Sequence, residues 1–104
     1  MIDETFINAF HMMWDDFPGP VRLIHKNRTI LASNEIARNL GFNDGVECST
    51  IGPPAIHRGC KANIALSTKT SQVSKSEGGK LRYWIPVKDC DDLYIHFTID
   101  SNVE

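Results

Sequence analysis

The sequence predicts an α+β fold: an antiparallel sheet of five strands with helices grouped on one face, preceded by an amphipathic helix. Three observations carry that expectation. Apolar residues recur at helical spacing near the N-terminus and in two short later stretches. Two runs in the last third, Leu81-Tyr83-Ile85-Val87 and Leu93-Ile95-Phe97-Ile99, alternate with period two. Turn-forming segments, among them Gly78-Gly79 and Lys88 to Asp92, separate the later runs by lengths that suit hairpins rather than crossovers.

The first helix is expected over residues 3–16, where Phe6, Ile7, Phe10, Met13, Trp14 and Phe17 fall on one stripe. Asp3 and Glu4 lie in its first turn, where carboxylates oppose the positive end of the helix dipole. Phe17-Pro18-Gly19-Pro20 then stops it, because proline lacks the amide a helix interior needs and keeps the preceding residue out of helical geometry. Residues 1–17 thus read as a leading helix that mediates dimerisation or covers the sheet, and residues 18–104 as the domain itself. Residues 21–25 and 29–33 read as a hairpin around Lys26-Asn27-Arg28, with Asn27 suited to left-handed geometry.

Asn34 is a good N-cap for a short helix over residues 35–40 that Gly41 can terminate. Gly45, Gly52, Pro53, Pro54 and Gly59 mark residues 42–59 as irregular, with at most one helical turn. A second helix is expected from Cys60 to about Thr70, then an edge strand over residues 72–76. In the two alternating strands the aliphatic set is assigned to the inner face. Trp84, Tyr94 and His96 fall on the outer face, which is apolar enough to need a cover.

Composition bounds what such a domain can do. With 104 residues, 41% of them hydrophobic, one core forms and little room remains for a large private cleft. A formal charge of -2 without a Lys/Arg cluster argues against nucleic-acid binding. No apolar run approaches the roughly 20 residues of a membrane-spanning helix, and Met1 opens into acidic residues rather than an export signal, so a cytoplasmic protein is expected. Three cysteines, Cys48, Cys60 and Cys90, cannot all pair within one chain and read as reduced thiols.

At this point the strings themselves resemble those of a PAS domain, the small sensory module of bacterial signalling proteins. Pro18-Gly19-Pro20-Val21 leading into Ile30-Leu31-Ala32-Ser33-Asn34-Glu35 resembles the first PAS hairpin, whose second strand ends in an Asn that starts a helix. Ala37-Arg38-Asn39-Leu40-Gly41-Phe42 resembles its continuation. Gly59-Cys60 followed by Ala65-Leu66-Ser67-Thr68 resembles the start of the long PAS helix in a cysteine-bearing subset, with Lys69 standing where a Gly is usual. The resemblance implies a curved sheet whose inner face, with the long helix, lines a pocket for a small molecule. On this chain it would be lined by Leu23, Ile30, Tyr83, Ile85, Ile95 and Phe97 from strands and Ile64 and Leu66 from the helix. It also implies dimerisation through the first helix, for which Phe6, Phe10, Met13 and Trp14 supply an apolar stripe.

Cys48, His57 and Cys60 are the candidate metal or redox residues, because thiolate and imidazole ligands at such spacings suit zinc or part of an iron-sulfur site. Three ligands are one short of a structural zinc site, and satisfied loop residues are the alternative. His11, His25 and His96 are the remaining histidines, with His96 expected to face outward. An enzyme is not expected: Cys60 and His57 are the only nominees for a nucleophile and its base. The expectation is therefore a sensory or interaction module with an unknown cofactor or ligand, forming a homodimer and passing its signal to a separate partner protein. A small metal or redox protein and a ligand-free dimerisation module are the alternatives.

Overall fold

In the computed structural model of the chain, the residues described are 4–50, 59–75 and 79–100. Helix α1 (Glu4–Trp14) leads into β1 (Val21–His25) and β2 (Ile30–Ser33), followed by α2 (Glu35–Asn39) and a 3-10 turn at Cys48–Thr50. Helix α3 (Ala62–Thr68) then precedes β3 (Gln72–Lys75), β4 (Lys80–Pro86) and β5 (Leu93–Asp100). The five strands form one sheet in the order β2-β1-β5-β4-β3, every neighbouring pair antiparallel. β5 is central because it pairs with β1 along its first half and with β4 along nearly its whole length. The α+β class and the alternating strands agree with the sequence reading.

Local chemistry explains the junctions. Asn34 has extended geometry and its side chain accepts the Ala37 amide, so α2 starts where an N-cap residue stands. Gly41, at φ 100, follows the C-cap Leu40, and few other residues hold such a conformation without strain. Lys69 closes α3 in left-handed geometry, so the absent glycine changes the residue but not the exit. In the first hairpin Arg28, not Asn27, takes the positive φ; Asn27 instead accepts the Thr29 amide through its side chain.

The sheet is covered on both faces, and the covers are the reverse of the sequence assignment. Phe10 of α1 is buried with Val21, Leu23, Ala32, Leu93 and Ile95, with Phe6, Ile7, Trp14, Ile85 and Phe97 packed against them. The opposite face buries Ile24, Ile30, Trp84 and Tyr94 against Ala37 of α2, Ala62 and Ala65 of α3, and Phe42 and Cys48. Trp84 and Tyr94 thus lie under the later helices, and the aliphatic set lies under α1. Both faces are apolar, so alternation groups residues by side without saying which cover each side receives.

Candidate functional site

The face beneath α2 and α3 is built from one cross-strand row. Arg22 of β1 pairs with His96 of β5, which pairs with Trp84 of β4, so all three project to the same side. The neighbouring row holds Ile24 and Tyr94. His96, expected to face outward, lies stacked on Trp84 with ring centroids 4.8 Å apart, and its Nδ1 is 2.8 Å from the Tyr83 carbonyl. Since a carbonyl only accepts, that nitrogen carries the proton.

Arg22 is the unusual member of the row. Only 4% of it is exposed, although arginine is rarely buried without a carboxylate partner. Its guanidinium lies 4.1 Å from the centre of the Phe42 ring, and Nη1 donates to Cys48 Sγ at 3.6 Å. Nε has no acceptor among the described residues, nor does the indole nitrogen of Trp84, which is 1% exposed. Burial lowers the pKa of Arg22, opposed by Cys48, Tyr94 and Cys60. Burial likewise raises Cys48, opposed chiefly by Arg22, and raises Tyr94, opposed by Arg28. Thiol and phenol therefore stay neutral near pH 7, and the guanidinium has no anion from them. Arg28 lies 5.8 Å from the centre of the Tyr94 ring and donates to Asn63 Oδ1 at 2.8 Å, while Arg82 lies 5.3 Å from the centre of the Trp84 ring.

The eight pocket residues named from sequence do not share a site. Ile30 and Leu66 belong to the α2/α3 side; Leu23, Ile85, Ile95 and Phe97 belong to the α1 side, where Tyr83 stacks on Phe97 at 4.8 Å. Ile64 points outward, 49% exposed. A surface cleft of about 350 Å³ exists at the end of α3 beside the β4–β5 turn, and of the eight only Leu66 lines it. Sequence reasoning placed Trp84, Tyr94 and His96 on the face away from the later helices and did not single out Arg22, because alternation does not say which cover a sheet face receives.

Of the metal candidates, Cys48 is buried and Cys60 exposed, and the two are close enough to influence each other electrostatically. His57 lies outside the described residues. Among the described residues no three metal-ligating side chains gather. The stripe assigned to a dimer interface is largely spent within the chain: Phe10 is 2% exposed and Phe6 and Trp14 pack on the sheet, whereas Met13 is 69% exposed. No described helix is long and apolar enough to cross a membrane.

No family model and no curated protein matches the chain. Solved structures do. A sensory box sensor histidine kinase from Vibrio cholerae superposes with a TM-score of 0.67 at 15% identity, over 92% of this chain and 89% of that one. The PAS domain of BvgS from Bordetella pertussis gives 0.69 at 17% identity, over 92% and 86%. A domain of an HTR-like protein from Haloarcula marismortui gives 0.62 at 24% identity, over 80% and 97%. At these identities the likeness establishes the fold, which is that of a PAS domain.

Proposed function

We propose that this chain is a sensory signalling module whose α2/α3-covered sheet face receives a small molecule and whose state is read by a separate partner protein. The carrying observation is that this face buries polar groups beyond what its own chain satisfies: Arg22 Nε and Trp84 Nε1 lack acceptors among the described residues. A sheet face devoted to packing alone would bury hydrocarbon, since each unpaired buried donor costs about 1–3 kcal/mol. The fold shared with the sensor kinase and with the BvgS PAS domain supports the signalling half of the reading. The test is a mixed-charge fragment library followed by backbone amide NMR. Shifts centred on Ile24, Cys48, Ala65, Trp84 and Tyr94 are expected; shifts nowhere, or only on the α1 side, refute the reading.

Output through a homodimer is part of the same proposal, with Met12 and Met13, 85% and 69% exposed, as the apolar side chains that α1 leaves available. A second reading, a thiol-based metal or redox site, is favoured by the electrostatic proximity of Cys48 and Cys60. Stoichiometric zinc or iron in the purified protein, lost in Cys48→Ser, supports it, and metal-free protein with unchanged thiol behaviour discards it.

A further inference from the structure

We infer that the molecule received on this face is a small organic carboxylate, with Arg22 as its anchoring cation and the Trp84 indole as a second donor. The inference rests on the ligand-binding reading above and adds the chemistry of the ligand. A buried guanidinium is tolerated when an anion and good hydrogen bonds offset its lost hydration. Here the groups that act on Arg22 are Cys48, Tyr94 and Cys60, and none is a carboxylate. The ion pairs among the described residues all involve other side chains.

Two further guanidinium groups approach the same face. Arg28 lies over the ring of Tyr94, in the row beside that of Arg22, and Arg82 over the ring of Trp84, in the Arg22 row itself. Two unpartnered donors on one cross-strand row, Arg22 Nε and Trp84 Nε1, call for oxygen acceptors on the incoming molecule. The rings of Phe42, Trp84 and His96 call for an organic body rather than a bare inorganic ion. A monoanionic carboxylate fits this demand, since its two oxygens accept from a guanidinium edge and its single charge loses less hydration than a phosphate dianion would.

The experiment titrates wild-type protein and Arg22→Met with acetate, succinate and benzoate, with benzamide and inorganic phosphate as controls, reading thermal midpoint and the two indole N–H resonances. The inference expects an organic carboxylate to raise the wild-type midpoint and move the Trp84 indole resonance. It expects Arg22→Met to weaken that binding about tenfold or more, while the ligand-free variant melts at or above the wild-type temperature because an unpaired buried cation has gone. Benzamide binding as well as benzoate, equal affinity in Arg22→Met, phosphate as the only binder, or no response to any carboxylate overturns it. A fragment that binds this face without regard to charge leaves the broader ligand-binding proposal standing, so the two failures are distinguishable. A ligand-free Arg22→Met that melts well below wild type also overturns it, by making Arg22 a structural group.

Discussion

Asn34 is the residue on which the junction of three elements depends, and its replacement gives the most quantitative check on the structure. The side chain is fully buried. Its Oδ1 accepts the Ala37 amide at 3.0 Å, capping α2, and the Val21 amide at 3.2 Å, fixing the start of β1. Its Nδ2 donates to the Gly19 carbonyl at 2.8 Å and the Phe17 carbonyl at 3.3 Å, tying down the chain that leaves α1. Asn34→Ala loses the cap, about 1 kcal/mol, and strands the Val21 amide and Gly19 carbonyl, which adds about 1–3 kcal/mol for the donor and about 1 for the acceptor. The expected loss is therefore about 3–5 kcal/mol out of a total that for such domains is about 5–15. Urea unfolding followed by circular dichroism measures it, with the slope unchanged and the midpoint lowered. Asn34→Asp, which keeps the acceptor and removes the donor, should lose less than Asn34→Ala. A loss below about 1 kcal/mol for Asn34→Ala would mean that water replaces the side chain and that the three elements are not joined through it.

Phe10→Ala should cost about 3–5 kcal/mol in the same assay, because the ring is buried under the sheet; Met12→Ser with Met13→Ser should leave stability nearly unchanged, and sedimentation of that double variant reports whether the exposed methionines hold a dimer. Gly19→Ala places a Cβ 2.6 Å from the Thr98 carbonyl oxygen, and the backbone shift it forces should lower stability by about 1–3 kcal/mol; an unchanged melting curve would show the α1–β1 connection to be loose. Brief alkylation at neutral pH, read by peptide mass spectrometry, should label exposed Cys60 well before buried Cys48, whose thiol burial keeps protonated. Equal labelling removes the buried thiol from the site. Cys48 and Tyr94 both have folded-state pKa values raised by burial, so their stabilising contribution is full below the unfolded thiol value of about 8.5 and is lost as pH rises through the folded values. Urea midpoints should therefore fall from neutral to alkaline pH, less steeply in Cys48→Ala, and a flat profile contradicts the burial of both groups.

Most of the architecture was legible because its determinants are local. The stripe of Phe6, Phe10 and Trp14, the Asn34 cap, Gly41 and the alternations in the last two strands each act within a few residues, and α1, α2, β4 and β5 stand where those signals put them. The site was not legible, because it depends on which cover each sheet face receives, and that is decided by the path of residues between elements. Period two groups Arg22, Trp84, Tyr94 and His96 with Ile24 on one side of the sheet; it carries no information about what lies above them. The sequence reading gave that side a cover but the wrong one, since α2 and α3 lie over it and α1 lies over the other.

That misassignment is itself informative about function. When a sheet is packed on both faces, polar residues belong on neither unless something repays their burial. The α1-covered face obeys this: Val21, Leu23, Leu93 and Ile95 pack there as hydrocarbon. The α2/α3-covered face breaks it at Arg22, which nothing in the chain neutralises among the described residues, and at Trp84, whose ring is buried but whose N–H is not satisfied. Departures from local consistency concentrate where a protein accepts a stability cost for a task. On the proposed reading, two covers on one sheet divide the labour, with α1 and its aromatic stripe supplying the core and the shorter helices α2 and α3 lying over a face that an incoming acceptor would complete.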